Sequence, residues 1–548
     1  MKTWQKLLAL LLAVMMMLSM VACAKQATDD TQEPAESTDA TEPAETTEDT
    51  TPADTTEEKE PVVLEWYFRG NGQQKDTAEV EAAVNELVKQ YPGLEHVSIH
   101  INCFPSSDYA QQVALSQASG LQMDIVNSVN LDFYKEVANG TWMPMEDYLS
   151  DELKNELPSW LWEMGSVDGH IYMVPNYQNA FNCQYALFPK EYMDKYGNYD
   201  EMKAVLQDTS KTLTEKAAYL EEYVKAVSEG EGTQKYCAPL DQANSTGQMG
   251  FAFTTPFDHL GNNFIVEDGT TTVQYAPIDD FYKESYAIYA DWFDKGLYSP
   301  DGVTTAYDNY TMSHMMDATS AVFMTKEMYG SEERVANTYT SQWGFDVVAI
   351  NIQPYNFIQK NWGAGGNGIS STCQHPEEAA KFLEAITCGS EIGKKIYNTM
   401  VFGIEGKHYN FVDEANDRIE TLEYDGSQGG VDCSYAGLKW ILGNSFYAYK
   451  NQAVLDDQYP VAKELNESPD TVSSSLIGFT PDTTKVQTQV DQVKAVYDEF
   501  YTTLYRGVLG TDGWEAYYDE FVAKLETAGL NDIIAELQSQ LDAFLANK

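Results

Sequence analysis

Between Val62 and Asn127 the chain alternates two periods. Val62–Phe68 is a short β-rich run, broken by Arg69-Gly70-Asn71-Gly72. Thr77–Tyr91 then carries Val80, Ala83, Val84, Leu87 and Val88 at helical spacing and stops at Pro92-Gly93. His96–Asn102 alternates like a second strand, Tyr109–Ser119 reads as a helix closed by Gly120, and Met123–Asn127 reads as a third strand. Strand, helix, strand, helix, strand predicts a parallel α/β sheet. In such a sheet ligands gather at the carboxyl ends of the strands, so the segments 66–71 and 124–128 are the first candidates for a binding site.

The chain ahead of this sheet is different in kind. Lys2 and Lys6 precede an apolar run from Leu7 to Met20, and Cys23 follows directly after Val21-Ala22. A charged start, an apolar stretch and a small residue before the cut make a secretory signal. The run is shorter than the ~20 residues that a spanning helix needs. The position of Cys23 resembles the lipobox of bacterial lipoproteins, which implies that its thiol is acylated and that residues 1–22 are removed. Residues 24–61 are Thr, Glu, Asp, Ala and Pro almost throughout. Such a stretch cannot bury enough apolar surface to offset its ordering entropy, so residues 23–61 read as a lipidated cysteine on a disordered acidic tether. The expected location is the outer face of a Gram-positive cell membrane, with membrane contact through the lipid anchor alone.

From residue 62 onward the length favours two or more lobes. The net charge of −51 excludes nucleic acid and anionic membrane surfaces as partners, since both repel an acidic chain. Cys103, Cys183, Cys237, Cys373, Cys388 and Cys433 are widely spaced with no CxxC, which excludes a zinc ribbon or thioredoxin motif and leaves disulfides or buried thiols open. Helices and short strands mix from 190 to about 343, and 484–548 is nearly all helix. Gly363-Ala364-Gly365-Gly366-Asn367-Gly368 fits GxGxxG in letters, but no βαβ frame surrounds it, so it reads as a glycine-rich crossover or ligand loop. No HExxH, GxSxG or EF-hand loop is present, and neither metal nor cofactor is expected.

Several stretches, in order, resemble one family. "SQASGLQMDIVNS" (116–128), "EVANGTWMPMEDYL" (136–149), "VDGHIYMVPN" (167–176) and "PEEAAKFL" (376–383) are similar to elements of the family 1 extracellular solute-binding proteins, the maltose-binding-protein-like group. "GIEGKHY" (403–409), "GNSF" (443–446), "LIGF" (476–479) and "KLETAGLNDIIAELQSQLDAF" (524–544) resemble a lipoprotein subgroup with an extra C-terminal helical region. The resemblance implies an α/β, two-lobed, type II periplasmic-binding-protein fold without catalysis. The resemblance implies that it closes like a hinge around a carbohydrate, an oligosaccharide in this subgroup's pattern, and hands it to ABC permease subunits. Residues 62–180 with about 345–400 would form the first lobe, and about 181–344 with 401–548 the second. By position, the implied ligand residues are Trp66, Tyr67 and Arg69 after the first strand, Asn127 after the third, and Tyr177 and Asn179 at the first crossover. Asp241 and Gln242 after a strand of the second lobe, Trp362 in the return segment, and Trp440 and Asn444 complete the set. Aromatic rings stack on a pyranose face, while amides, carboxylates and Arg bond its hydroxyls. Trp142, Trp160 and Trp162 are assigned to packing. A monomer is expected. A peptide-binding or sensory lipoprotein shares every one of these features, and a surface glycoside hydrolase or lyase is the enzyme alternative, although no motif supports it.

Overall fold

The apolar periods of 62–127 fold as their spacing dictates. In the computed structural model, which describes residues 59–180, 183–237, 257–297, 319–327, 331–353, 356–358, 360, 365–422, 434–452 and 454–548, β1 (Val62–Gly70) and β2 (Val97–Pro105) pair in parallel from Val62↔Val97 to Gly70↔Pro105. β3 (Ile125–Asn127) lies on the other side of β1, with Trp66 opposite Ile125. Helix α1 (Thr77–Val88) buries Val80, Val84 and Val88. Helix α2 (Tyr109–Ser119) ends where Gly120 adopts φ 68°, a left-handed cap that favours glycine.

Two further strands complete this sheet. Gly366–Ile369 runs antiparallel to β3, with Asn367 opposite Asn127, and Val174–Pro175 pairs with its far edge. Gly366-Asn367-Gly368 of the GxGxxG match therefore belong to an inner strand, while Gly363 and Ala364 lie outside the described residues. A Cβ on Gly366 would lie 2.6 Å from the Val174 carbonyl oxygen, and one on Gly368 would lie 2.3 Å from that of Tyr172. The glycines are there because neighbouring backbone approaches closely.

A second sheet is built around Cys183–Pro189, all seven residues of which are buried. Val347–Asn351 and Ser320–Glu327 flank it in antiparallel register, and Tyr236–Cys237 pairs in parallel at the edge. The C-terminal helices Gln487–Tyr505, Gly510–Thr527 and Leu530–Asn547 share one core with this sheet and with helix Asp280–Asp294. A separate core holds the first sheet, α1 and the helices Pro376–Thr387 and Glu391–Phe402. The architecture is thus the two-lobed α/β fold. The cores divide the chain differently from the lobe bounds read in the sequence, and Cys183, Tyr185, Leu187 and Phe323 on one face of the second sheet also join the first sheet's core. Val401, Tyr435, Ile441, Leu442 and Ala448 sit in the core of the first sheet, so the stretch up to about 449 packs there instead of with the second lobe. Its partners are α1 and the ends of β1 and β3, more than 270 residues upstream, and no local pattern reports them.

The described parts of the connections between the lobes are 176–180, then 352–353, 356–358 and 360, and then 450–480 apart from 453. In the last two, strand Asn356–Ile358 pairs in parallel with Thr471–Ser473. Among the described residues, no helix is long and apolar enough to cross a membrane. Cys103, Cys183, Cys237, Cys373 and Cys388 are free thiols. Cys23 and the acidic tether lie outside the described residues.

Candidate ligand site

At the carboxyl ends of β1 and β3 three asparagines meet. Asn127 donates through Nδ2 to Asn367 Oδ1 at 3.1 Å, and Asn367 donates through Nδ2 to Asn176 Oδ1 at 3.2 Å. Both Nδ2 groups also donate to the carbonyl of Ile441, at 3.1 and 3.2 Å. Trp66 Nε1 donates to the same Asn367 Oδ1 at 3.0 Å. All four side chains are buried, and an amide supplies two donors and an acceptor at once, one donor more than a hydroxyl and two more than a carboxylate. The network fastens the helical turn Lys439–Leu442 across the strand ends.

That turn carries Trp440. Arg69, the last side chain of β1, lays its guanidinium carbon 4.9 Å from the centroid of the Trp440 ring. Its Nε is buried and makes no hydrogen bond among the described residues. Burial lowers the pKa of Arg69 from its ordinary value, although an arginine so shifted is still charged at neutral pH. Arg69 and Trp440 are both only half buried, so a cation and an indole face stand together on a floor of satisfied amides.

The other sequence-derived candidates take different places. Trp66 is fully buried, its ring against Phe68 and Phe382, and it belongs to the floor instead of stacking on a ligand. Tyr67 is 8% exposed and packs against Phe104. Tyr177 is buried edge-on to Phe446 and donates to Glu467 Oε1 at 3.0 Å. Its backbone pairs with the 443–445 segment, Tyr177 N–H donating to Gly443 O and Ser445 N–H to Tyr177 O. Asn444 is buried and donates to Glu156 Oε1 and Thr387 O, both at 3.2 Å. Tyr177 and Asn444 therefore bolt the first connection to the lobe, and the buried Asn179 follows them. Asp241, Gln242 and Trp362 lie outside the described residues.

Sequence reasoning missed Asn176 and Asn367. Their signal was an asparagine beside an otherwise apolar or glycine-rich strand, in "MVPN" and "GGNGI". It also missed a charged cluster at the connections. Lys360, 4% exposed, donates from Nζ to Phe479 O at 3.0 Å, and its backbone N–H donates to Asp258 Oδ1 at 2.7 Å. Ser474 donates its hydroxyl to the other Asp258 oxygen. Burial pulls the Lys360 ammonium down to about 8, against the pull of Asp258 and Asp132. Burial also raises the Asp258 carboxyl, opposed by Ser474 and Lys360.

Comparison with known proteins places the fold. Residues 475–546 match a domain of unknown function, DUF3502. A carbohydrate ABC transporter substrate-binding protein of Streptococcus pneumoniae is 23% identical over 492 residues, which span 86% of this chain and 88% of that protein. The crystal structure of the N-glycan transport solute binding protein NgtS of S. pneumoniae superposes with a TM-score of 0.69 at 20% identity, covering 89% of this chain and all of that one. The S. pneumoniae ABC-transporter substrate binding protein FusA, solved with kestose, superposes with a TM-score of 0.57 at 16% identity, covering 89% and 100%. The match extends over most of the chain, which has the two-lobed fold of these solute-binding proteins and is homologous to substrate-binding proteins of carbohydrate ABC transporters.

Proposed function

We propose that this protein captures an extracellular oligosaccharide between its lobes and delivers it to the membrane subunits of an ABC importer. The observation that carries this reading is the pairing of Trp440 with Arg69 at the strand ends, within a chain homologous along 86% of its length to a carbohydrate-binding transport protein. An indole face takes the C–H face of a pyranose, and a guanidinium without a carboxylate partner among the described residues offers donors to sugar hydroxyls. Tyr67 and Asn179 stand near enough to the strand ends and first connection to add contacts, while Asn127, Tyr177 and Asn444 shape the site from behind. Asp241, Gln242 and Trp362 remain in the proposed set from the second lobe and the return segment. The protein holds its ligand without reacting with it, and works as a monomer. Cys23 carries the lipid that keeps it at the outer face of the cell membrane.

The test is a thermal-shift screen of the purified protein against mono- and oligosaccharides, with peptides and amino acids alongside. A ligand at about 100 times its dissociation constant adds about 2.7 kcal/mol of stability, readily seen as a raised melting temperature. A shift with an oligosaccharide recovered intact is the expected result. A cleaved sugar would make the protein an enzyme, and a shift with peptides alone would end the carbohydrate reading. A Cys23→Ser variant should be released into the medium; retention at the membrane would remove the anchor.

A further inference from the structure

Behind the Arg69–Trp440 pair lies a second buried cluster that the ligand site itself does not include. Ile404 N–H donates to His408 Nδ1 at 2.8 Å, which makes Nδ1 the acceptor and leaves the imidazole proton on Nε2. That nitrogen faces Asp76 Oδ2 at 3.2 Å, and Lys407 Nζ reaches the same oxygen at 3.0 Å. His408 is 5% exposed and Asp76 8%. Gly403, at φ 79°, passes so close beneath the ring that a Cβ would lie 2.5 Å from Nδ1. This is the physical content of the "GIEGKHY" stretch: a glycine floor, an imidazole of fixed tautomer and a lysine, all aimed at one carboxylate.

Asp76 ends the loop that leaves β1 just after Arg69. The loop is sewn to the segment leading into Trp440. Asp76 N–H donates to Ser434 O at 3.2 Å. Asn71 Nδ2 and Gln74 Nε2 both donate to Ala436 O, at 3.0 and 2.9 Å, and Ala436 N–H donates back to Gln74 Oε1 at 2.9 Å. The chain then turns at Gly437, where a Cβ would meet Met400 O at 2.2 Å, and reaches Trp440 three residues later.

We propose that Asp76 and His408 are positioning residues of the ligand site: their contact ties the loop after β1 to the 403–408 turn, with the His408 ring against Tyr435, and so steadies the bonds from Asp76 N–H, Asn71 and Gln74 to residues 434–436 that hold Trp440 over Arg69 before any ligand arrives. The role of the pair in taking sugar rests on the function proposed above; the clamp itself does not. A contact face fixed in advance loses less freedom on binding, which is where such a clamp gains affinity.

The experiment reads Trp440 directly and needs no sugar. Acrylamide quenching of tryptophan fluorescence is measured with and without Trp440→Phe, so that the difference isolates this one indole, in the wild-type background and in His408→Ala and His408→Gln. Trp440 should be quenched more readily in His408→Ala, and His408→Gln, whose amide can still donate to Asp76, should restore most of the shielding. Unchanged quenching of Trp440 in a folded His408→Ala protein, or a His408→Gln variant no better than alanine, overturns the proposal. Should His408→Ala fail to fold, Asp76→Ala, which keeps the loop's backbone bonds and removes the acceptor of His408 and Lys407, is read in the same way with the same expected rise. Failure of the sugar screen with an intact quenching result would count against the function and leave the clamp standing.

Discussion

Two buried polar clusters hold the molecule's most demanding junctions, and they are built from opposite chemistry. At the strand ends of the first lobe, Asn127, Asn176 and Asn367 are neutral, and each amide finds partners in the others, in Trp66 or in Ile441. At the connections between lobes, Lys360 and Asp258 are ionisable, and burial opposes the charge on both. An amide network has no titrating member, so its geometry is the same at any pH the protein meets. It is unforgiving of substitution, because each lost partner strands a buried polar atom. Lys360 Nζ donates to a carbonyl, not to the carboxylate, and for both groups desolvation outweighs the attraction between them, so the balance moves with pH. The site floor is thus the fixed part of the molecule, and the crossover clasp is the part whose energy can be adjusted.

The comparison breaks most visibly at Asn367. Asn367→Leu removes the acceptor of Trp66 Nε1 and of Asn127 Nδ2 and the donor to Asn176 Oδ1. Trp66 Nε1 is stranded at about 1–3 kcal/mol and the other two hydrogen bonds are lost at about 0.5–1.5 kcal/mol each, since Asn127 Nδ2 keeps the Ile441 carbonyl, so a loss of about 4 kcal/mol is expected in urea unfolding. The loss should be equal at pH 6 and pH 9. A loss that varied with pH would mean that the network is coupled to an ionisable group, and the contrast with the clasp would fail.

Lys360→Met tests the other half. The lysine's folded pKa of about 8 lies below its ordinary 10.5, so between those values the unfolded chain binds the proton more tightly than the folded one. Below pH 8 the protein carries the full cost of a buried ammonium, and stability from this group rises as pH climbs from 8 to 10.5. A shift of that size corresponds to about 3 kcal/mol. The stability difference between wild type and Lys360→Met should therefore move by up to about 3 kcal/mol in favour of the wild type across this window, followed by denaturant unfolding at successive pH values. A constant difference would show that the lysine titrates as it does in water.

The same two clusters mark what could be read in the sequence. β1, α1, β2, α2 and β3 announce themselves because each is specified by its own period, Val80, Val84 and Val88 on one helix face and alternate residues of Val62–Phe68 on a strand. The strand that completes the site does not. Gly366–Ile369 is four residues long, glycine-rich for reasons that lie in the carbonyls of Tyr172 and Val174, and joins β3 across 240 residues of chain. Trp66 shows why strand-end position alone misleads. It shares β1 with Arg69, but its indole faces Phe382 and the core, and only the register of Asn367 explains the hydrogen bond it makes. Likewise, "GIEGKHY" was legible as a resemblance, whereas its reason, a carboxylate at Asp76, is 332 residues away.

Arg69→Gln should have the smallest effect on stability, and for that reason it sharpens the comparison between what holds the site and what serves it. The Arg69 Nε makes no hydrogen bond among the described residues, and the guanidinium lies against the face of Trp440. Losing a cation–π contact at a partly exposed site costs about 0.5–1 kcal/mol, and relief of the buried, unbonded Nε offsets part of that. The melting temperature should therefore hardly move. The effect should appear instead in binding, where the guanidinium's five donors are lost to the ligand, as a weakened affinity for whichever oligosaccharide shifts the wild-type melt, measured by titration calorimetry. An Arg69→Gln protein that melts like wild type and binds like wild type would place Arg69 with Trp66 among the residues that only pack. One that melts far lower would make Arg69 part of the floor, and leave Trp440 as the contact that the asparagine network exists to present.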